Sequence, residues 1–316
     1  MRKRRMKLYR HRSRWLKWLV LLLGLWALLF LMRDFQQIRD FVVVPDGEEI
    51  ILYRTKQNTT ERMPFEAYII GVVAAEMPAS YNEEALKAQA VCARSYTYHH
   101  LLNGYEYPMN ADVSDNPGTC QAYVSKEEFT AAHEDGDMYY EKVKRAVLDT
   151  AGEILLADEQ PLEAFYHSTC GGQTDEPLDV WGKEIPGIHS VNCPWCKKSP
   201  YYVQKKWLST AEFSHCLGLH TDASIEKEVR TAGNRVQKML INGREFSGEA
   251  VRKMLHLPSC WFQIQPVENG FFIITRGFGH GLGLCQVGAG GMADAGYSYV
   301  DILMHYYRNT ELCCFL

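Results

Sequence analysis

The sequence predicts an α+β fold, arranged as a single extracytoplasmic domain behind one N-terminal transmembrane helix. Three observations carry this expectation. A basic tail runs into an uncharged apolar stretch; two helical patterns follow back to back over residues 64–101; strand-like and helix-like segments then mix to the end, without repeats or low-complexity tracts. With 316 residues, 47% of them hydrophobic and 23% charged, the composition is ordinary for a globular protein and the length allows a large core.

The first 18 residues hold nine Lys or Arg and no acid, and Trp18–Met32 is free of charge. That run is short for a bilayer span, but Trp15 and Leu16 extend it and Lys17 snorkels to the headgroups. A core helix does not normally follow so basic a tail. A cleaved signal needs small residues at its cut site, where Arg33-Asp34-Phe35-Gln36-Gln37 stands instead. The segment therefore reads as an uncleaved anchor over residues 18–32, with residues 1–17 a cytoplasmic tail and everything later outside. Residues 33–58 form a stem and residues 59–316 one domain. Beyond residue 32 stand 25 basic and 38 acidic residues, a net of −13. Such a charge excludes general attraction to nucleic acid or anionic lipid. A polymer outside the cell is a more natural substrate than a phosphorylated metabolite.

In the stem, Phe41–Val44 and Ile50–Tyr53 predict two strands around an Asp46-Gly47 turn. Pro64 starts a helix that ends at Met77, because the residue before Pro78 disfavours helical geometry. Ser80 and Glu83 have capping-box spacing for a second helix, from about Asn82 to Leu101. Its Ala85, Ala88, Ala90 and Ala93 let another element approach closely. Residues 126–134, 137–150 and 247–255 predict helices, and residues 162–169, 230–241 and 271–275 predict strands. Two short helices, near residues 288–295 and 299–307, close the chain.

Glu76 ends an apolar helix, on the face of Tyr68 and Val72. A helix C-terminus disfavours a carboxylate by about 0.3–1 kcal/mol, and an apolar pocket adds to that. Both raise the pKa, as needed for a general acid near neutral pH. Taken alone, the pattern better suits a glutamate pointing to solvent from a helix end. The glycines at 277, 279, 281 and 283 alternate, unlike a dinucleotide or phosphate-binding loop. Alternation predicts a strand with one bare face, open to a sugar chain or another backbone. Among the ten cysteines, Cys193 and Cys196 form a C-x-x-C pair. With Cys170 and either His167 or His189 they would make a four-ligand structural zinc set. A disulfide from Cys170 to Cys193 or Cys196, or a reduced cluster, remains open. A thioredoxin-like role does not fit, because Ser199-Pro200 follows where a helix should be. No His-Glu-x-x-His motif supports a zinc hydrolase.

The runs GVVAAEMP (residues 71–78), EALKAQAVCARSY (84–96), CQAY (120–123), HSTCGG (167–172) and GHGLGLCQVGA (279–289) occur in order. Asn242-Gly243 and the run 252–255 add to them, as do Met292-Ala293 and Gly296-Tyr297. Together they resemble the stage II sporulation protein D family over about residues 60–310. The resemblance implies an anchored lytic transglycosylase of peptidoglycan, acting in engulfment during sporulation on glycan strands stripped of stem peptides. It implies that Glu76 is the general acid and base, and it makes His280 and Gln286 candidates for hydrogen bonds to the glycan. Gln89 and Arg94, close in sequence to Glu76, are further candidates for sugar binding or for orienting the acid, provided Arg94 does not pair with Glu76. Some relatives hold zinc in the block matching Ser114–Cys120, but Ser114 and Thr119 stand at the ligand positions here. Whether Cys92, Cys120 and Cys285 converge is open. The chemistry itself requires no cofactor. The expected partners are glycan strands, the membrane and other wall hydrolases or amidases. The alternative function is a non-catalytic glycan-binding or amidase-enhancing protein.

Overall fold

The computed structural model describes residues 49–314. The expected anchor at residues 18–32, the tail before it and the strand at Phe41–Val44 lie outside those residues. Among the described residues no helix is long and apolar enough to cross a membrane.

The chain opens with a hairpin of β1 (Glu49–Arg54) and β2 (Thr59–Pro64), in register from Glu49 opposite Pro64 to Arg54 opposite Thr59. The strand expected at Ile50–Tyr53 is therefore present, but its hairpin partner follows it in sequence, and the boundary drawn at residue 58 falls inside the turn. Pro64 then caps α1 (Phe65–Glu76), which is buried on nearly every side and apolar to match. Met77 is extended, at φ −126° and ψ 136°, as Pro78 demands. The next helix, α2 (Glu83–Leu102), is capped by Asn82, whose side chain accepts from the Glu84 amide. The capping box expected from Ser80 does not form, because Pro78 begins a turn closed by the Tyr81 amide on the Pro78 carbonyl. All four small residues expected on α2 are fully buried.

Strand β3 (Val113–Ser114) runs parallel to β1, completing a three-stranded sheet. Helices α3 (Lys126–Ala132) and α4 (Gly136–Leu148) follow, α3 with a full capping box from Ser125 and Glu128. The α2 helix is the hub of this half, packed against α1, α4 and the next strand, β4 (Glu153–Ala157). With β4 pair the short β5 (Gln160–Pro161) and the last strand of the chain.

Beyond β6 (Tyr166–His167) and the one-turn α5 (Pro177–Trp181), a second core forms. Here β7 (Gln204–Ser209), α6 (Thr210–Cys216), β8 (Ile225–Arg230), β9 (Val236–Ile241), β10 (Arg244–Ser247) and α7 (Gly248–Met254) precede the hairpin of β11 (Phe262–Val267) and β12 (Gly270–Thr275). Two three-stranded sheets, β10-β9-β8 and β11-β12-β7, enclose Phe213, Met239, Phe246, Leu255 and Phe262.

The chain then returns to the first half. The alternating glycines do not lie on a strand. All four take positive φ, from 65° to 106°, and make a looped run whose only ladder contact is the Thr169–Phe278 bridge. Left-handed geometry at every second residue breaks an extended strand and calls for glycine. The run delivers β13 (Leu284–Cys285), parallel to β6, directly into α8 (Gln286–Asp294). Both α8 and α9 (Tyr299–Tyr306) pack on α2, and β14 (Glu311–Cys314) closes on β4.

Candidate active site

Because α1 stops at Pro78, Glu76 is its last helical residue and its carbonyl has no partner within the helix. Gln286, the first residue of α8, supplies one: its Nε2 donates to the Glu76 carbonyl at 2.9 Å and to Gln89 Oε1 at 3.3 Å. The carboxyl group faces the loop after β3, where the Ala122 amide donates to Oε1 at 2.7 Å. Burial raises the Glu76 pKa above the usual carboxylate value, and the Ala122 amide and the Tyr166 hydroxyl partly offset it. Tyr166 is itself held by donation to Gln121 Oε1 at 2.9 Å, while Gln121 Nε2 donates to Thr97 Oγ1 at 3.0 Å. Burial and the Glu76 charge push the Tyr166 pKa well above the tyrosine norm, so the phenol stays protonated.

Two cavities meet at Glu76. One, of about 710 Å³, is walled by Tyr96, Tyr166, Trp181, Phe278 and His280; the other, of about 690 Å³, runs past Met77, Tyr81 and Phe129. Glu76, Ser168, Phe278 and Gln286 line both. A third, of about 350 Å³, continues from the first past Trp181 and Arg252. Glu76 therefore stands midway along an open groove. Trp181 and Phe278 expose 40% and 39% of their surface, leaving aromatic surface open to the apolar parts of a ligand. In the first cavity Glu76 is the only carboxylate among the described lining residues. The second adds Glu128, which Arg54 holds at 2.7 Å and whose pKa that pairing lowers.

The other expected site residues divide. His280 lines the groove, but the Leu282 amide donates to its Nδ1 at 3.1 Å and its Nε2 donates to the Tyr166 carbonyl at 3.0 Å. Both ring nitrogens are committed, and burial drops its pKa to about 4. His280 braces the wall and offers a ring face rather than a sugar hydrogen bond. Gln286 touches the groove, yet its amide positions Glu76. Gln89 is fully buried beneath Gln286 and does not line the cavities. Arg94 is fully buried as well, with two bonds to Glu66 at 2.8 and 2.9 Å and others to the Glu153 and Val147 carbonyls. The assignment of Gln89 and Arg94 to sugar binding is corrected: both sides of α2 that carry them are covered by protein. Sequence reasoning missed Tyr166, Trp181, Phe278 and Ala122. Of these, Ala122 lay in the quoted CQAY run, but a backbone donor leaves no mark on residue type.

The proposed metal ligands also need correction. Cys170, Cys193 and Cys196 do come together, but the fourth member is Cys285, with all four sulfurs within 4.8 Å of one another. His167 instead lines the groove, its Nδ1 on the Leu282 carbonyl at 3.0 Å, and His189 sits beside Glu176 at 3.5 Å. Neither Cys92 nor Cys120 joins the cluster: Cys92 bonds the Tyr307 hydroxyl and Cys120 neighbours that of Tyr68.

The stage II sporulation protein family model matches residues 53–156, which include Glu76 and the Ala122 loop. The stage II sporulation protein D of Bacillus subtilis strain 168 is 39% identical over 271 residues, covering 83% of this chain and 78% of that protein. The chain belongs to the stage II sporulation protein D family. The same-named protein of Bacillus amyloliquefaciens is 37% identical over 268 residues, 83% of this chain and 77% of its own. A more distant similarity, 25% over 299 residues, joins this sporulation-family chain to a protein named amidase enhancer in Bacillus subtilis, of which it covers 40%.

Proposed function

We propose that this member of the family is a membrane-anchored lytic transglycosylase, cleaving the MurNAc–GlcNAc bond of peptidoglycan glycan strands during engulfment. The observation that carries the reading is Glu76, whose pKa burial raises and which is the only carboxylate among the described residues lining the first cavity, at the point where two cavities of an open, aromatic-walled groove meet. Ordinary glycoside hydrolysis needs two carboxyl groups flanking the bond. One suffices when the nucleophile belongs to the substrate. Glu76 gives its proton to the glycosidic oxygen as the bond from C1 breaks. The carboxylate then takes the proton of the muramic C6 hydroxyl as that oxygen closes onto C1. The product is a 1,6-anhydro end, no water is consumed, and Glu76 returns to its acid form.

In this reading the anchor at residues 18–32 holds the domain outside the membrane, and glycan stripped of stem peptides fits the groove best. The chemistry uses no cofactor, so any metal on the four thiols is structural. The similarity to a protein named amidase enhancer favours a second reading, a glycan-binding partner of wall hydrolases that does not cleave. Mass spectrometry of products from purified glycan strands separates the two. Anhydro ends are expected; intact strands would favour the binding role, and free reducing ends would mean hydrolysis.

A further inference from the structure

Below the groove, three separate stretches of chain each bring sulfur to one point. Cys170 follows β6, Cys193 caps the 3-10 turn Pro194–Lys198 that contains Cys196, and Cys285 ends β13. All four are buried, and Cys170 Sγ lies 3.4 Å from Cys196 Sγ. A tetrahedral thiolate site with metal–sulfur bonds of about 2.3 Å spaces its sulfurs about 3.8 Å apart. Four mutually close sulfurs match that arrangement. Two disulfides would instead draw them into two pairs at about 2.05 Å.

The surroundings suit thiolates. The Cys170 and Gly288 amides point at Cys285 Sγ, at 3.2 and 3.3 Å, and the Gly172 amide at Cys170 Sγ, at 3.4 Å. The Tyr306 hydroxyl sits 3.1 Å from Cys193 Sγ. Donors of this kind spread the excess negative charge of four thiolates around one divalent ion and orient the ligands. Room is kept as well: a Cβ at Gly288 would come within 2.6 Å of Cys193 Sγ. Soft sulfur donors in tetrahedral array select zinc over magnesium or calcium.

We propose that Cys170, Cys193, Cys196 and Cys285 bind one zinc ion, which staples the β6–β13 pair and so fixes Gln286 under Glu76. Cys285 directly precedes Gln286 and also caps α8, its side chain accepting from the Gly288 amide. His167 stays outside the ligand set. The assignment does not depend on the glycan-cleaving reading, and its test reads metal and thiols rather than activity.

The full-length chain is purified without added metal or chelator, and its metal content and thiol reactivity are measured. One zinc per chain is expected, with the four cysteines shielded from alkylation until a mercurial releases the metal. Cys285→Ser and Cys170→Ser should lose zinc, while Cys216→Ser and Cys260→Ser, outside the cluster, keep it. Should the first pair fail to fold, metal content and thiol mapping of the unaltered protein still decide. Removing zinc should raise hydrogen exchange at residues 166–172 and 284–288 and leave the β8–β10 sheet unchanged. A metal-free protein with mapped disulfides or freely alkylated thiols among these four overturns the site, as does stoichiometric iron. Unchanged exchange after zinc removal overturns the staple.

Discussion

At Glu76, burial pushes the carboxyl group toward its neutral form while the Ala122 amide and Tyr166 hydroxyl pull the other way. The Ala122 amide, at 2.7 Å from Oε1, gives the carboxyl group a fixed donor in its pocket. Glu76→Gln keeps the shape and removes the proton, so release of anhydro ends should fall by at least about 10²–10⁴-fold in a protein that still folds. The same substitution should show in stability against pH. A carboxyl group whose pKa is raised by folding contributes stability that is complete below its unfolded pKa and lost as pH rises through the folded one. The glutamine variant should therefore match wild type in acid and melt higher above that window, a difference checked by thermal melts across pH. Tyr166→Phe removes one of the two groups that lower the Glu76 pKa. Its pH–rate profile should keep its shape with the descending limb moved to higher pH; an unmoved limb would show that the hydroxyl does not reach the acid. The place of Glu76 at a helix end before Met77-Pro78 was legible because those signals are local, but only the family resemblance, not the pattern, set it above a solvent-facing glutamate. Tyr166 was not legible, because its meeting with Gln121 and Glu76 is set by tertiary packing.

The elements assign different work to residues that look alike in sequence. Arg94, on the buried hub helix α2, ties α1 through Glu66 to the Val147 carbonyl on α4 and to that of Glu153 at the start of β4. Breaking such a buried pair from one side costs about 3–5 kcal/mol. Arg94→Ala should lower the melting temperature sharply while molecules that remain folded keep their affinity for glycan, measured by melts and by glycan pulldown. Loss of affinity at unchanged stability would return Arg94 to the binding surface. The helices were legible because proline, capping residues and apolar spacing are short-range signals: α1, α3 and α7 fall close to their expected places. The glycine run was misread because strict alternation has a period of two whether a strand or a left-handed loop follows, and only φ distinguishes them. The C-x-x-C pair and Cys170 gave three of the four clustered thiols, but the fourth member was sought at His167 or His189; that Cys285 joins them depends on the β6–β13 pairing, across more than a hundred residues.

At the scale of the whole molecule, two cavities of about 710 and 690 Å³ meet at Glu76. Strands that fill both sides should be cut fastest, and oligosaccharides reaching only one side should be poor substrates; a rate independent of length from the disaccharide upward would contradict this. Phe278, shared by both cavities, should on change to Ala raise KM more than it lowers kcat. The tie between Glu76 and Gln286 spans 210 positions, that of Asn82 to the Ala293 carbonyl 211, and that of the Tyr299 amide to Glu84 215. Contacts this remote in sequence form late, since a long loop must close before they repay its entropy. During synthesis from the N-terminus, Glu76 waits through most of the chain before its carbonyl finds a donor. The candidate site is thus complete only once α8 has been made, and a chain cut short before α8 carries Glu76 without the Gln286 amide that holds its carbonyl.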